Sequence, residues 1–350
     1  MGLKNQSPVR VWITTSQINN RALAAENSSD RAINRIADGS DYSNKLSPSL
    51  SELSPRDLPW DVHRAESDQI ANNYRGSEFH RYSERIDDCS TLLAFGLVPN
   101  ADQGEYQLKL RTARFCRVRT CMVCAWRKSL MYKARAYKAL PKVIADYPTA
   151  RYLFMTLTLK NCSVDELREN ILHLNRSFSR MTKRKHFPAI GFIKTVEVTR
   201  GKRGDAHPHL HILIMVKPSF FSRNYINKKE WCAWWKKSAK VDYTPVIDVK
   251  AIKPQKSPLG LLAEIVKYQT KPNDLIFADR EWFLEYTRQI RSTKAFALGG
   301  LFKEYFRELE KKETTQEMIS GNESGQDEID EGELFFGWRC LDKKYRLISD

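Results

Sequence analysis

The sequence predicts an α+β domain in which an antiparallel sheet is packed by helices. Three observations carry that prediction. Segments 151–159, 191–199 and 209–216 are β-rich, an amphipathic helical pattern lies between the first two, and a short Gly-containing turn joins the last two. A hydrophobic share of 41% over 350 residues suffices for a core, which excludes wholesale disorder. No apolar run approaches the roughly 18 residues of a spanning helix.

Along the chain, the N-terminus Met1-Gly2-Leu3-Lys4-Asn5 is followed by polar residues and not by an apolar stretch, so no secretory signal and a cytoplasmic location are expected. Residues 1–80, rich in Ser, Asn and Asp without a sustained period, read as a weakly structured polar leader. Residues 81–145 read as a cysteine-rich, basic helical region, and 146–312 as the main domain. Residues 313–350 read as an acidic linker with an apolar tail, Leu334-Phe335-Phe336-Gly337-Trp338, that folds back. Charge follows the same division. Residues 1–80 carry net −1, residues 313–350 net −6, and residues 81–312 net +23, with 45 Lys and Arg against 22 Asp and Glu. So basic a segment points to a polyanion, because each phosphate it neutralises releases counterions; a solubilising surface is the plainer alternative.

Within the main domain, Arg151 to Leu159 reads as a buried strand. Ser163 and Glu166 fit a capping box, and Leu167, Ile171, Leu174, Phe178 and Met181 form the apolar stripe of the helix that follows. Gly191 to Thr199 and His209 to Val216 are the next two strands, and the basic turn Arg200 to Asp205 makes them an antiparallel hairpin. Trp231, Trp234 and Trp235 have helical spacing that suits core packing, with base stacking as the alternative.

Cys116, Cys121 and Cys124 form C-x4-C-x2-C. Seven cysteines without an export signal argue for thiols or metal ligands over disulfides, and three this close suit tetrahedral zinc, with Cys89 as the fourth ligand. Buried, idle cysteines are the competing reading. Cys162, Cys232 and Cys340 are isolated and read as ordinary core cysteines. After Cys124, residues Arg127, Lys128, Lys133, Arg135, Lys138 and Lys142 spread over a helix that either faces solvent or touches phosphates.

In a strand, residues two apart share a face, so His209 and His211 point together while Leu210, Ile212 and Ile214 point to the core. Two adjacent imidazoles pack poorly but clamp a divalent ion well, and Glu197 on the partner strand can add a carboxylate if the register allows. His207 shares their parity but stands at the strand's start beside Pro208 and ranks behind them as a ligand. A polar sheet face with satisfied histidines is the alternative. Farther on, Leu261 to Lys271 reads as a helix ended by Pro272. It sets Glu264, Tyr268 and Lys271 on one face at i, i+4 and i+7. A phenol beside a cation is a competent nucleophile on phosphorus; taken alone, the segment reads as an amphipathic tyrosine half in the core.

Together these segments resemble the HUH endonucleases. His209-Leu210-His211 is similar to their paired-histidine signature, Tyr268-Gln269-Thr270-Lys271 to their nucleophile motif, and Phe154 to Thr158 to the strand before the histidines. The cysteine run with Ala125-Trp126-Arg127-Lys128-Ser129, and Ala297 to Glu304 downstream, are similar to plasmid rolling-circle replication initiators; Glu264 before Tyr268 resembles the Gram-positive-type branch. The resemblance spans roughly residues 80–310. It implies an HUH-like antiparallel sheet with packed helices and a small cysteine-rich zinc-binding subdomain. It further implies Mg²⁺ or Mn²⁺ held by His209, His211 and Glu197, structural Zn²⁺, and Tyr268 as nucleophile on single-stranded or hairpin plasmid-origin DNA. A 5′-phosphotyrosyl link then forms, Lys271 supports the charge, and Glu264 acts as base for a closing water. Host helicase and polymerase are the implied partners, and no membrane is. A non-catalytic zinc-bearing DNA- or RNA-binding protein and a single-tyrosine HUH transposase are the alternatives.

Overall fold

The computed structural model describes residues 47–100, 105–252, 275–276, 278–307, 311–312, 314–320 and 332–348. In chain order these form α1 (Leu50–Leu53), α2 (Leu58–Tyr74), α3 (His80–Asp87), β1 (Leu92–Asn100), β2 (Glu105–Ala113), α4 (Met122–Asp146), β3 (Arg151–Thr158), α5 (Leu167–Thr182), β4 (Ala189–Arg200) and β5 (Ala206–Val216). There follow α6 (Lys228–Ala239), β6 (Ile247–Ala251), α7 (Arg280–Ile290), β7 (Phe296–Gly300), α8 (Phe302–Tyr305), α9 (Thr315–Ser320), β8 (Glu333–Arg339) and β9 (Lys344–Leu347). The mixture of helices and antiparallel strands is the α+β class the sequence predicts. Among the described residues, no helix is long and apolar enough to cross a membrane. The chain divides into one unit of residues 1–65, 87–116 and 324–350 and a second of 66–86 and 117–323.

The first unit is built on a four-stranded sheet ordered β2-β1-β8-β9. The apolar tail does fold back: it is β8, and Phe336 pairs with Leu93 of β1. Phe95 meets Phe336 edge-on at 5.8 Å, and Trp60 meets Tyr345 at 6.3 Å. The backbone N–H of Tyr345 donates to Asp61 (2.8 Å). These contacts correct the polar-leader expectation for its C-terminal part. Residues 50–53 and 58–74 are α-helical; Leu50 is buried in the first, and in the second Trp60, Ile70 and Tyr74 are buried because their apolar positions recur at helical steps within otherwise polar sequence. Residues 1–46 lie outside the described residues. The boundaries near 80, 145 and 312 also shift, since strand pairing joins the C-terminal tail to residues 92–100, far away in sequence.

The second unit holds a five-stranded, wholly antiparallel sheet, β6-β3-β5-β4-β7. Strand β5 is central and buried on both faces. Leu213 and Met215 join a core with Ile193 of β4 and Leu140 and Val143 of α4. On the other face, Phe192 of β4 packs edge-on against Phe178 of α5 (5.0 Å). The Ala297-Leu298-Gly299-Gly300 segment is edge strand β7, where a Cβ on Gly299 would enter the Phe192 ring. The Ser163–Glu166 capping box does not form: a single 3-10 turn, Val164–Glu166, precedes α5, and the Glu166 N–H donates to the Ser163 carbonyl instead. Of the six cations on α4, Arg127 and Arg135 are buried, donating respectively to the Met318 and Ile319 carbonyls and to Glu317, so neither faces solvent or phosphate. Trp231 and Trp235 are core residues, as their spacing predicts. Cys340 is exposed and Cys232 half-buried, so the core reading holds only for Cys162.

Lys194 on β4 is 8% exposed, with its amine against the Asn175 side-chain oxygen and 5.7 Å from the Phe178 ring centre. Burial pushes its pKa down to about 8 from 10.5. The unfolded chain therefore binds more protons between those values, and wild-type stability rises with pH across that window. Lys194→Met is expected to stabilise the fold by about 1–2 kcal/mol at pH 7, with the gain shrinking as pH rises toward 10. Thermal denaturation of both chains from pH 7 to 10 checks this; a pH-independent gap would refute burial as the cause.

Candidate functional site

The hairpin register sets the site. In β5 against β4, His209 lies opposite Glu197 and His211 opposite Thr195; on the other side, His209 and His211 lie opposite Thr158 and Thr156 of β3. Glu197, His209 and His211 therefore share one face. His211 Nε2 stands 2.7 Å from Glu197 Oε2, His209 Nε2 stands 3.4 Å from the same oxygen, and the two Nε2 atoms are 3.1 Å apart. Two nitrogens bound at a right angle to one ion, each about 2.1 Å from it, stand about 3 Å apart. The trio can hold a metal, its ligand atoms all lying within 4.8 Å of one another.

The surroundings orient both rings. His209 Nδ1–H donates to the His207 carbonyl (3.1 Å), which leaves its Nε2 lone pair toward the site. His211 Nδ1 lies 3.2 Å from the Thr156 hydroxyl, and its ring stacks on Phe154 at 5.6 Å. Such outer partners fix the tautomer and pose of metal-binding histidines. Burial pushes the Glu197 carboxyl up, but in the metal-free site hydrogen bonds from His209 and His211, and their charge when protonated, outweigh it and hold its pKa at about 2. His207 does not join the trio. Its Nδ1 bonds Asn161 Oδ1 (2.6 Å), and Asn161 in turn donates to Asp205 (2.7 Å). Burial, then the neighbouring His209, lowers its pKa.

Of the four candidate zinc ligands, Cys89 and Cys116 belong to the first unit and Cys121 and Cys124 to the second. Backbone N–H groups point at two of them, Cys116 to Cys89 Sγ (3.4 Å) and Arg117 to Cys124 Sγ (3.2 Å). Arg117 adopts φ 57°, the left-handed turn that aims its N–H inward. Ser67 receives the N–H groups of Met122 and Val123 (3.1 and 3.3 Å), capping α4 where the cysteine run enters it.

The structure thus brings together Glu197, His209 and His211 within the second unit. Glu264, Tyr268 and Lys271 lie outside the described residues. Thr156, Phe154 and Asn161 are the site residues that sequence reasoning missed. Thr156 was legible in one respect: it is a polar residue inside a buried strand, two positions from another threonine.

A family model described as "Replication protein" matches residues 107–346. A "Protein rep" of Lentilactobacillus hilgardii is 30% identical over 279 residues, covering 76% of this chain and 87% of that protein. A "Protein rep" of Streptococcus pneumoniae serotype 2 is 32% identical over 270 residues (75% and 83%), and one of Bacillus amyloliquefaciens is 27% identical over 327 (82% and 93%). No solved structure matches.

Two outcomes follow from this geometry. Thr156→Val is expected to weaken Mn²⁺ binding about 10-fold with the fold intact, measured by paramagnetic resonance of free Mn²⁺; unchanged affinity would remove Thr156 from the site. Cys121→Ser is expected to reduce tightly bound metal by about one ion per chain, measured by elemental analysis, whereas Cys340→Ser leaves it unchanged.

Proposed function

Because the chain belongs to the replication-protein family, we propose that it initiates plasmid replication by nicking origin DNA at the Glu197–His209–His211 centre. One observation carries the reading: two imidazole lone pairs and an ionised carboxylate converge on one point of a sheet face, a spacing that serves a cation better than it serves packing. A divalent ion bound there, Mg²⁺ or Mn²⁺, stabilises charge that develops on a phosphodiester.

The chain's own groups do the rest. Thr156 and the His207 carbonyl keep both Nε2 atoms aimed at the site. Tyr268 is the nucleophile. Its phenol gives up its proton to solvent and the oxygen attacks phosphorus, the P–O3′ bond breaks, the 5′ phosphate stays on the tyrosine, and the 3′-oxygen takes a proton from solvent and leaves as the hydroxyl that primes synthesis. Lys271 supports the phenolate, and Glu264 accepts a proton from the water that closes the reaction. The substrate is single-stranded or hairpin-extruded origin DNA, and host helicase and polymerase act on the freed end. The four-cysteine group takes structural Zn²⁺.

Incubation with labelled single-stranded origin DNA and Mn²⁺, followed by a denaturing gel, tests the reading. Wild type is expected to give a covalent adduct. Tyr268→Phe should reduce it at least ~1000-fold while retaining DNA binding, and the double change His209→Ala, His211→Ala should remove metal-dependent cleavage. Adduct formation by Tyr268→Phe would exclude this nucleophile. Binding without any adduct in the wild type would leave a zinc-bearing DNA-binding module.

A further inference from the structure

Between β5 and α6 the chain makes a short loop that presents two aromatic rings to solvent. A 3-10 turn, Pro218–Phe220, opens it, and the N–H groups of Arg223 and Asn224 both donate to the Ser219 carbonyl (2.9 and 3.3 Å). Buried Phe220 anchors the loop, with the Phe221 ring 5.0 Å and the Tyr225 ring 5.7 Å from it. Phe221 is nonetheless 40% exposed and Tyr225 62% exposed, their ring centres 6.5 Å apart. Outward rings on a braced loop forgo burial that would stabilise the fold.

Cations flank the rings in sequence, and Lys228 lines the crevice with them. Residues 217–240 hold seven Lys and Arg and one acid, Glu230, which is used in capping the helix start at Asn227. Lys217, Arg223, Lys228 and Lys229 are exposed, and none pairs with a carboxylate among the described residues. The position on the sheet is equally specific. Strand β6 is an edge strand. Its start adjoins the histidine end, where the Thr158 hydroxyl donates to the Val246 carbonyl, and its last residue, Ala251, pairs with Leu153 and lines the shallow crevice that Phe221 and Tyr225 border. At about 3.3 Å per residue, the five steps from Val246 to Ala251 span about 17 Å along the edge, and the crevice residues Leu153, Val249 and Ala251 lie on the sheet face opposite His209 and His211.

We infer that Phe221 and Tyr225, with the lysines and arginine that flank them in sequence, form a stacking platform for single-stranded DNA at the β6 edge, reached from the metal centre by rounding that edge to the opposite face of the sheet. Exposed aromatic faces bind unpaired bases whatever their sequence, and flanking cations hold the backbone. A duplex hides its base faces, so the platform selects the unwound strand. The inference rests on the nicking reading for its biological substrate, but it makes a binding claim of its own.

The test uses the full chain, no added divalent metal, and an oligothymidylate of about 12 nucleotides carrying one 2-aminopurine. Wild type should bind it, quench the fluorophore, and bind a duplex of equal length more weakly. Phe221→Ala with Tyr225→Ala should weaken binding about 10- to 100-fold and abolish quenching, with an unchanged circular dichroism spectrum. Lys228→Gln with Lys229→Gln should lower the slope of log K against log salt by about 1.4. Unchanged affinity in the aromatic variant, or capture of phosphatidylserine vesicles in place of the oligonucleotide, would overturn the platform. Stacking without a covalent origin adduct would keep the platform and sink the nicking reading. An adduct formed without Phe221- and Tyr225-dependent quenching would do the reverse.

Discussion

The pairing register of β4 with β5 is the constraint on which the site depends. Side chains alternate along a strand, so Glu197 shares a face with His209 and His211 only because it sits opposite His209. A slip of one residue would send the carboxylate to the α5 side, among Phe192 and Lys194. Two features hold the register. Beyond His211, both faces of β5 are apolar and buried, with Ile212 and Ile214 on one side and Leu213 and Met215 on the other, so any slip would break the fitted packing on both faces at once. At the open end, Gly201 N–H bonds the Asp205 carbonyl (2.8 Å) and Gly204 takes φ 80°, closing a turn that a bulkier residue there would strain.

The same register explains why the histidines sit at the strand's start. Farther along β5, imidazoles would replace core side chains packed against α4. At residues 209 and 211 the neighbours across β3 are threonines, and the hydroxyl of Thr156 satisfies His211. The local electrostatics call for a proton or a metal ion at the centre. Glu197 is held ionised, His209 has its lone pair turned toward His211, and both donor atoms face the same oxygen. Three converging acceptors repel one another unless a proton or a metal ion lies among them.

How much of this was legible in the sequence depended on range. The strands at 151, 191 and 209 and the helix stripe from Leu167 to Met181 followed from local periodicity, and the structure has them within a few residues. The paired histidines were legible as a spacing, but the Glu197 partnership was not, because register is set by packing on both faces. The β1–β2 hairpin was missed although Gln107-Leu108-Lys109-Leu110-Arg111 alternates cleanly, its partner strand being more continuously apolar. Residues 50–74 were misread as a leader because composition was weighed over position: Leu50, Trp60, Ile70 and Tyr74 are few, but each is buried. Pairing of β8 with β1 joins residues more than 200 apart, and no local signal encodes that.

Net charge also changes meaning once the cations are located. A surplus of +23 over residues 81–312 reads as affinity for a polyanion, yet several arginines are committed inside the second unit to carbonyls at helix ends. Arg119 donates to the Ile290 carbonyl at the end of α7, Arg180 to Ser238 near the end of α6, Arg280 to Asn73 and Arg75 around the end of α2, and Arg127 to Met318 and Ile319 in α9. Carbonyls in the last turn of a helix lack intrahelical donors and carry partial negative charge, so a planar, multi-donor cation is a favourable cap there. These bonds stabilise the fold and the charges contribute to the long-range field, with Arg127 buried and Arg119 and Arg280 still exposed at the surface. Direct contact falls to exposed cations, among which Lys217, Arg223, Lys228 and Lys229 are gathered around aromatic rings, while Lys202 and Arg203 crown the turn beside the histidines. Both clusters belong to the five-stranded sheet that carries the metal-binding face, so the same strands that fix the ligands also fix where a nucleic-acid backbone can run.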